Sequence, residues 1–195
     1  MDFYHGSAVA GLTELKPFAS PYSHSDEARV YLTLKKQLAI HYIWNTGKYP
    51  IKTPMLHVRQ DGVLVFQEMF EDALEYFYKG LSGYVYRCAG EYNTHDQSGA
   101  AFCVTSSTPV AVVDCTPVDD VYDRVLSYEK KGRFIYEKYK DLPPYRHDII
   151  RGIIVRSIKK DDLFNNPQHP NYIFYQLKYP QYWREAEVLY KNGLL

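Results

Sequence analysis

Short runs of aromatic and β-branched residues, punctuated by turn residues, fill the first half of the chain and predict strands rather than long helices. Phe3, Tyr4 and His5 open an N-terminal strand that continues into Gly6 and Ser7. A second strand is expected over Arg29–Thr33, where the period of two puts Tyr31 and Thr33 on one face and Val30 and Leu32 on the other. Leu34–Trp44 then reads as a helix closed by turn residues between Gly47 and Pro50. His57-Val58 and Val63–Phe66 flank Arg59-Gln60-Asp61-Gly62 and predict a hairpin turning at Asp-Gly. Glu68–Tyr78 has helical spacing and is stopped by Gly80.

The last third has a different pattern. Charged and aromatic residues recur at helical spacing over Asp119–Tyr139, Pro143-Pro144 interrupts them, and His147–Lys160 predicts a further helix. Asn165–Pro170 is a loop, and Asn171–Tyr190 is helix or strand interrupted at Pro180. No repeat or low-complexity tract appears.

Composition narrows the class. A chain of 195 residues with 46% hydrophobic residues can bury one core and is short for two independent ones, so a single domain over 1–195 is expected. A formal net charge of zero argues against holding long stretches of nucleic acid by phosphate neutralisation. Cys88, Cys103 and Cys115 are odd in number and lack metal-site spacing, so they read as buried thiols suited to a reducing compartment. No signal peptide and no apolar run of about 18 residues is present, and a cytoplasmic protein without a membrane partner is the expectation.

Candidate chemistry concentrates at the first two strands. His5 supplies a ring donor and acceptor, and Gly6 lets backbone N–H and C=O approach a flat ligand. Tyr31 offers a π surface and one hydroxyl. The plain alternatives are a structural histidine and a core tyrosine, one of 20 in the chain. The polar loop Ser20–Glu27 between the two strands has the character of a lid or a substrate-contacting flap.

Tyr4-His5-Gly6-Ser7, then Val30-Tyr31-Leu32-Thr33 and a helix carrying Ala39 and Tyr42, together resemble the ADP-ribosyltransferase superfamily in its His-Tyr-acidic branch. That branch includes diphtheria-toxin-like enzymes, poly(ADP-ribose) polymerases and small rifampin ADP-ribosyltransferases, the last being the nearest in pattern. Gly83-Tyr84-Val85-Tyr86 resembles the next core strand, and Phe102–Thr105 to Val110–Val113 the closing ones. The resemblance covers about residues 1–115. It implies an α+β fold with a split β-sandwich core over 1–115 and a helical C-terminal extension over 116–195, with a partner-binding module as the alternative reading of that extension.

It also implies a reaction: cleavage of the nicotinamide–ribose bond of NAD, taken as substrate, through an oxocarbenium-like state. His5 would bond the adenosine-side ribose, Gly6 backbone groups would hold the nicotinamide amide, and Tyr31 would stack on its ring. Ser7, Thr33 and Tyr42 complete the implied NAD-binding set. An acid must steady the cation or orient the nucleophile. Alignment from Gly83 favours Asp96 over Glu91, with Glu185 and Glu187 still open.

Other constellations are missing from the sequence: no zinc-type His or Cys spacing, no Gly-x-Gly-x-x-Gly or Walker loop, no Gly-x-Ser-x-Gly elbow. A related NAD user, the tRNA 2′-phosphotransferase, would show an extended basic signature that this chain lacks. Two classes remain, an NAD-consuming transferase whose acceptor is a protein, a nucleic acid or a small molecule, and a non-catalytic binding or protein-interaction module that kept the fold. The sequence names neither the acceptor nor the oligomeric state.

Overall fold

A computed structural model describes residues 1–19, 27–43, 56–59, 61–90 and 102–195. The chain is α+β, and it forms two compact units. The first comprises Met1–Thr46, Leu56–Phe66 and Leu74–Ile135; the second comprises Gly47–Met55, Gln67–Ala73 and Tyr136–Leu195.

The first unit is built on an antiparallel sheet of six strands: β1 (Asp2–Ser7), β2 (Glu14–Leu15), β3 (Val30–Thr33), β6 (Gly83–Ala89), β7 (Cys103–Ser106) and β8 (Val110–Val118). Their order is β2-β8-β6-β1-β3-β7. Strands β7 and β8 therefore stand four places apart, about 19 Å in a flat sheet at ~4.8 Å per strand. Yet only Ser107, Thr108 and Pro109 join them, a link that reaches about 14 Å at full extension. The sheet must curl to let this connection close. Phe3, Leu15, Val30, Leu32, Cys88, Val104 and Val110 form one buried cluster drawn from all six strands, as such a curl requires.

The opposite face carries α1 (Lys36–His41). A Cβ on Gly6 would lie 1.9 Å from the Ala39 carbonyl oxygen, so β1 and α1 touch main chain to main chain, and only glycine allows it. Helix α3 (Val121–Glu129) belongs to the same unit, with Asp120 as N-cap accepting from the Asp123 N–H at 3.1 Å and from the Gly80 N–H at 2.7 Å. The expected core boundary at residue 115 falls inside β8.

A second sheet has the order β4-β5-β9, from β4 (Leu56–Val58), β5 (Leu64–Gln67) and β9 (Phe134–Glu137). The hairpin β4–β5 is the expected one, with Gly62 at φ +80° in the turn. Two helical expectations need correction. The helix α2 spans Ala73–Tyr78 and not Glu68–Tyr78: Asp72 takes φ 59°, and Glu68 instead buries its carboxyl group against other residues. The pattern over Asp119–Tyr139 is interrupted at Gly132 (φ +66°), beyond which Phe134–Glu137 joins the second sheet as β9.

The second unit is largely helical. Pro143-Pro144 begins a helix rather than only ending one, because proline at the first helical position gives up an N–H that has no partner there. Helix α4 accordingly runs Pro144–Lys160, three residues longer at its start than expected. Asn171–Tyr190 resolves into two helices, α5 (Asn171–Lys178) and α6 (Pro180–Lys191), with Pro180 again at the first position. Among the described residues no helix is long and apolar enough to cross a membrane. None of the three cysteines is in a disulfide, but the expectation of burial holds for Cys88 alone: Cys103 is half-buried and Cys115, on β8, is exposed.

Candidate active site

Strand β1 is paired along its whole length with β6, from Asp2↔Ala89 to Ser7↔Tyr84. With β3 it shares one register pair, Tyr4↔Thr33. Leu34 N–H is taken by the Phe102 carbonyl at 2.9 Å, so that pair bridges through Tyr4 and Thr33 themselves. Along a strand, main-chain groups turn alternately to one neighbour and the other. Gly6 therefore shares Tyr4's direction, toward β3, at a level where the two strands are no longer paired. Its N–H and C=O border the place where β1 and β3 part.

His5 fills part of this parting. Its Nδ1 lies 2.9 Å from the Tyr31 carbonyl oxygen, and a carbonyl can only accept, so Nδ1 carries the proton. A side chain thus takes the carbonyl that a continuing ladder would have used. Burial of the half-buried ring lowers the His5 pKa, partly offset by the Tyr31 hydrogen bond, and the neutral ring presents Nε2 as an acceptor. Across from His5, Tyr86 is fully buried; its hydroxyl donates to the Val9 carbonyl at 2.6 Å and accepts from Leu12 N–H at 3.4 Å, which fixes the segment after β1.

The structure sorts the sequence-derived residues as follows. His5 and Tyr31 stand on neighbouring strands and touch, but through ring and main chain. By alternation the Tyr31 side chain shares the face of Gly6 and Thr33, whereas His5 shares the face of Phe3. Tyr31 is opposite Thr105 and Thr33 opposite Cys103. Tyr42 caps the C-terminal end of α1, is 43% exposed, and places its hydroxyl 3.8 Å from Cys103 Sγ, which brings it to the same face as Tyr31. Nothing in the sequence marked Cys103 as a neighbour of this group.

Thr33 and Ser7 serve locally. The Thr33 hydroxyl donates to the Phe102 carbonyl at 2.9 Å and accepts from Lys35 N–H at 3.1 Å, tying β7 to the start of α1. Ser7 Oγ accepts from Val9 N–H at 3.1 Å. Asp96 and Glu91 lie outside the described residues. Both remaining acids are on α6: Glu185 is held by Arg151, and Glu187 pairs with Lys191 at 2.7 Å. Among the described residues no group of three or more His, Cys, Asp or Glu side chains is placed to hold a metal ion. Comparison of the chain with protein-family models, with curated proteins and with solved structures found no match.

Proposed function

We propose that this chain is an NAD-dependent ADP-ribosyltransferase with a split β-sandwich core of that family's kind, and that its site lies where β1 and β3 part. The observation that carries the reading is the His5 Nδ1 bond to the Tyr31 carbonyl. It joins the two residues named from sequence, holds the strands apart beyond Tyr4 and Thr33, and leaves an acceptor nitrogen for a sugar hydroxyl. A flat carboxamide beside Gly6 would find one donor and one acceptor on the main chain, and Tyr31 and Tyr42 supply aromatic surface on the same face.

The chemistry follows from that placement. The C1′–nitrogen bond of NAD breaks with both electrons leaving on nicotinamide, positive charge develops on the ribose, and an acceptor oxygen or nitrogen closes on C1′ while losing its proton. Held rings and a fixed amide lower the barrier by positioning. An acid, with Asp96 ahead of Glu91, stabilises the charge as it forms.

Nicotinamide release from NAD by the purified chain, with water as the minimal acceptor, tests the proposal. An acid acting mainly in the transition state affects turnover and not ground-state affinity. Asp96→Asn is expected to lower turnover about 100-fold with NAD affinity kept, and Glu91→Gln to do much less; the reverse pattern assigns the acid to Glu91. Calorimetry should show Tyr31→Ala weakening NAD binding more than Tyr31→Phe, because the ring makes most of the contact. No turnover with NAD and a panel of acceptors would replace this reading with that of a non-catalytic interaction module.

A further inference from the structure

The second unit contains a cleft of about 290 Å³ between the ends of β5 and β9 and the first turn of α4. Its charged lining consists of Glu137, Lys138, Asp141 and Arg146, beside the rings of Tyr136 and Tyr145. Two charges of each sign thus meet in one small space. Among the described residues none of the four forms an ion pair, with each other or elsewhere. Each cation lies instead over a tyrosine ring of the lining, Lys138 Nζ 5.7 Å from the Tyr136 centroid and Arg146 Cζ 5.5 Å from that of Tyr145.

The wall behind them is fixed. Glu68, 2% exposed, accepts from the Tyr136 hydroxyl at 2.5 Å and from Tyr139 N–H at 2.9 Å, while its own N–H donates to the Glu137 carbonyl at 3.0 Å. Gln67 Nε2 donates to Glu137 Oε2 at 2.7 Å and holds that carboxylate at the cleft. Burying a carboxyl group to orient one ring and one turn is costly unless its hydrogen bonds are made, and here two are. The result is a pre-set aromatic wall with a carboxylate whose direction is fixed, as a binding site requires.

We propose that this cleft binds a small zwitterion of the amino-acid class, with its cationic end at Glu137 and Asp141, its anionic end at Arg146 and Lys138, and its hydrocarbon body against Tyr136 and Tyr145. The volume sits at the low end of ligand pockets, which run from about 300 to 1,000 Å³, and so favours a ligand of this size. A planar guanidinium pairs with carboxylates in fork fashion and stacks on tyrosine, which makes arginine the apt probe.

Calorimetric titration of the full chain with L-arginine, agmatine and propionate tests this assignment. Agmatine keeps the guanidinium without the carboxylate, and propionate keeps only the carboxylate. Arginine is expected to saturate with a Kd of about 1 mM or tighter. Agmatine, with cationic groups only, and propionate, with an anionic group only, should each bind at least about tenfold more weakly, the loss of the charge-assisted contact at the other end. Glu137→Gln and Arg146→Gln should each cost arginine a similar factor, whereas Glu185→Gln, on α6, leaves it unchanged. Absence of saturation, equal binding of agmatine and arginine, or indifference to both cleft variants would overturn the proposal. The readout is independent of NAD turnover, so the two readings fail separately.

Discussion

Protonating His41 should destabilise the first unit, and the structure sets the size of the effect. The ring is buried, 3% exposed, stacked on Phe134 at 5.4 Å and edge-on to Tyr78 at 5.5 Å. Its Nδ1 donates to the Gln37 carbonyl at 2.9 Å, and Nε2 is buried without a hydrogen-bond partner. A second proton on Nε2 would therefore find no acceptor. Burial outweighs the Gln37 bond and lowers the pKa from 6.5 to about 4. Because the folded pKa is depressed, both states are neutral above about 6.5, and the unfolded chain alone takes up a proton below it. Stability is thus fully present above pH 6.5 and is lost as pH falls toward about 4. Below that the folded state protonates as well and the loss levels off. At ~1.4 kcal/mol per pH unit the whole interval is worth about 3 kcal/mol. Urea unfolding followed by circular dichroism at several pH values between 7.5 and 4, for wild type and His41→Leu, isolates this contribution from the carboxylates common to both. The difference in stability between the two proteins should change by about 3 kcal/mol across the interval, in the variant's favour at low pH. Parallel curves would refute the neutral ring with an unpartnered Nε2.

Gly6→Ala should be far more damaging than a surface substitution, because its Cβ would meet the Ala39 carbonyl oxygen at 1.9 Å and α1 would have to move; loss of about 3 kcal/mol or more, or failure to fold, is expected in thermal and urea melts. A melt indistinguishable from wild type would show that α1 is not seated on β1. Asp120→Ala removes the cap of α3 and the bond to Gly80 N–H together, and should cost about 1–2 kcal/mol, with Asp120→Asn recovering part of it.

Strands β1 and β3 of the first sheet and the hairpin β4–β5 of the second were legible because their cues are local: aromatic and β-branched residues at Phe3–His5 and Val30–Thr33, and Asp61-Gly62 at the hairpin. Strand β9 was not. Phe134-Ile135-Tyr136-Glu137 follows a helix in a tyrosine-rich stretch, and only its place in the second sheet, beside β5 from far earlier in the chain, makes it a strand. Glu68 falls at the start of a stretch with helical spacing, whereas its hydrogen bonds to Tyr136 and Tyr139 place it outside the helix. That β1 and β3 are neighbours followed from order and spacing, but the His5 and Tyr31 side chains lie on opposite faces of the sheet. Their contact was not foreseeable, since a ring bonded to a main-chain carbonyl across two strands has no sequence signature. The cleft of the second unit was equally invisible: its charged residues look like ordinary solvated positions at the ends of elements.

The short link between β7 and β8 has a consequence for how the chain folds. Two strands joined by Ser107-Thr108-Pro109 have a connection of hairpin length, and a β7–β8 hairpin would form sooner than the native pairing of Val30 with Ser106, which must wait for distant chain to arrive. The link itself carries its own constraints. Pro109 fixes its own φ in the link, and Ser106 Oγ donates to the Thr108 carbonyl at 2.8 Å while accepting from its N–H at 3.2 Å, so the link is satisfied by a side chain. The strand order thus sets a local pairing in competition with a distant one at this link, and the native sheet takes the distant one, β7 with β3.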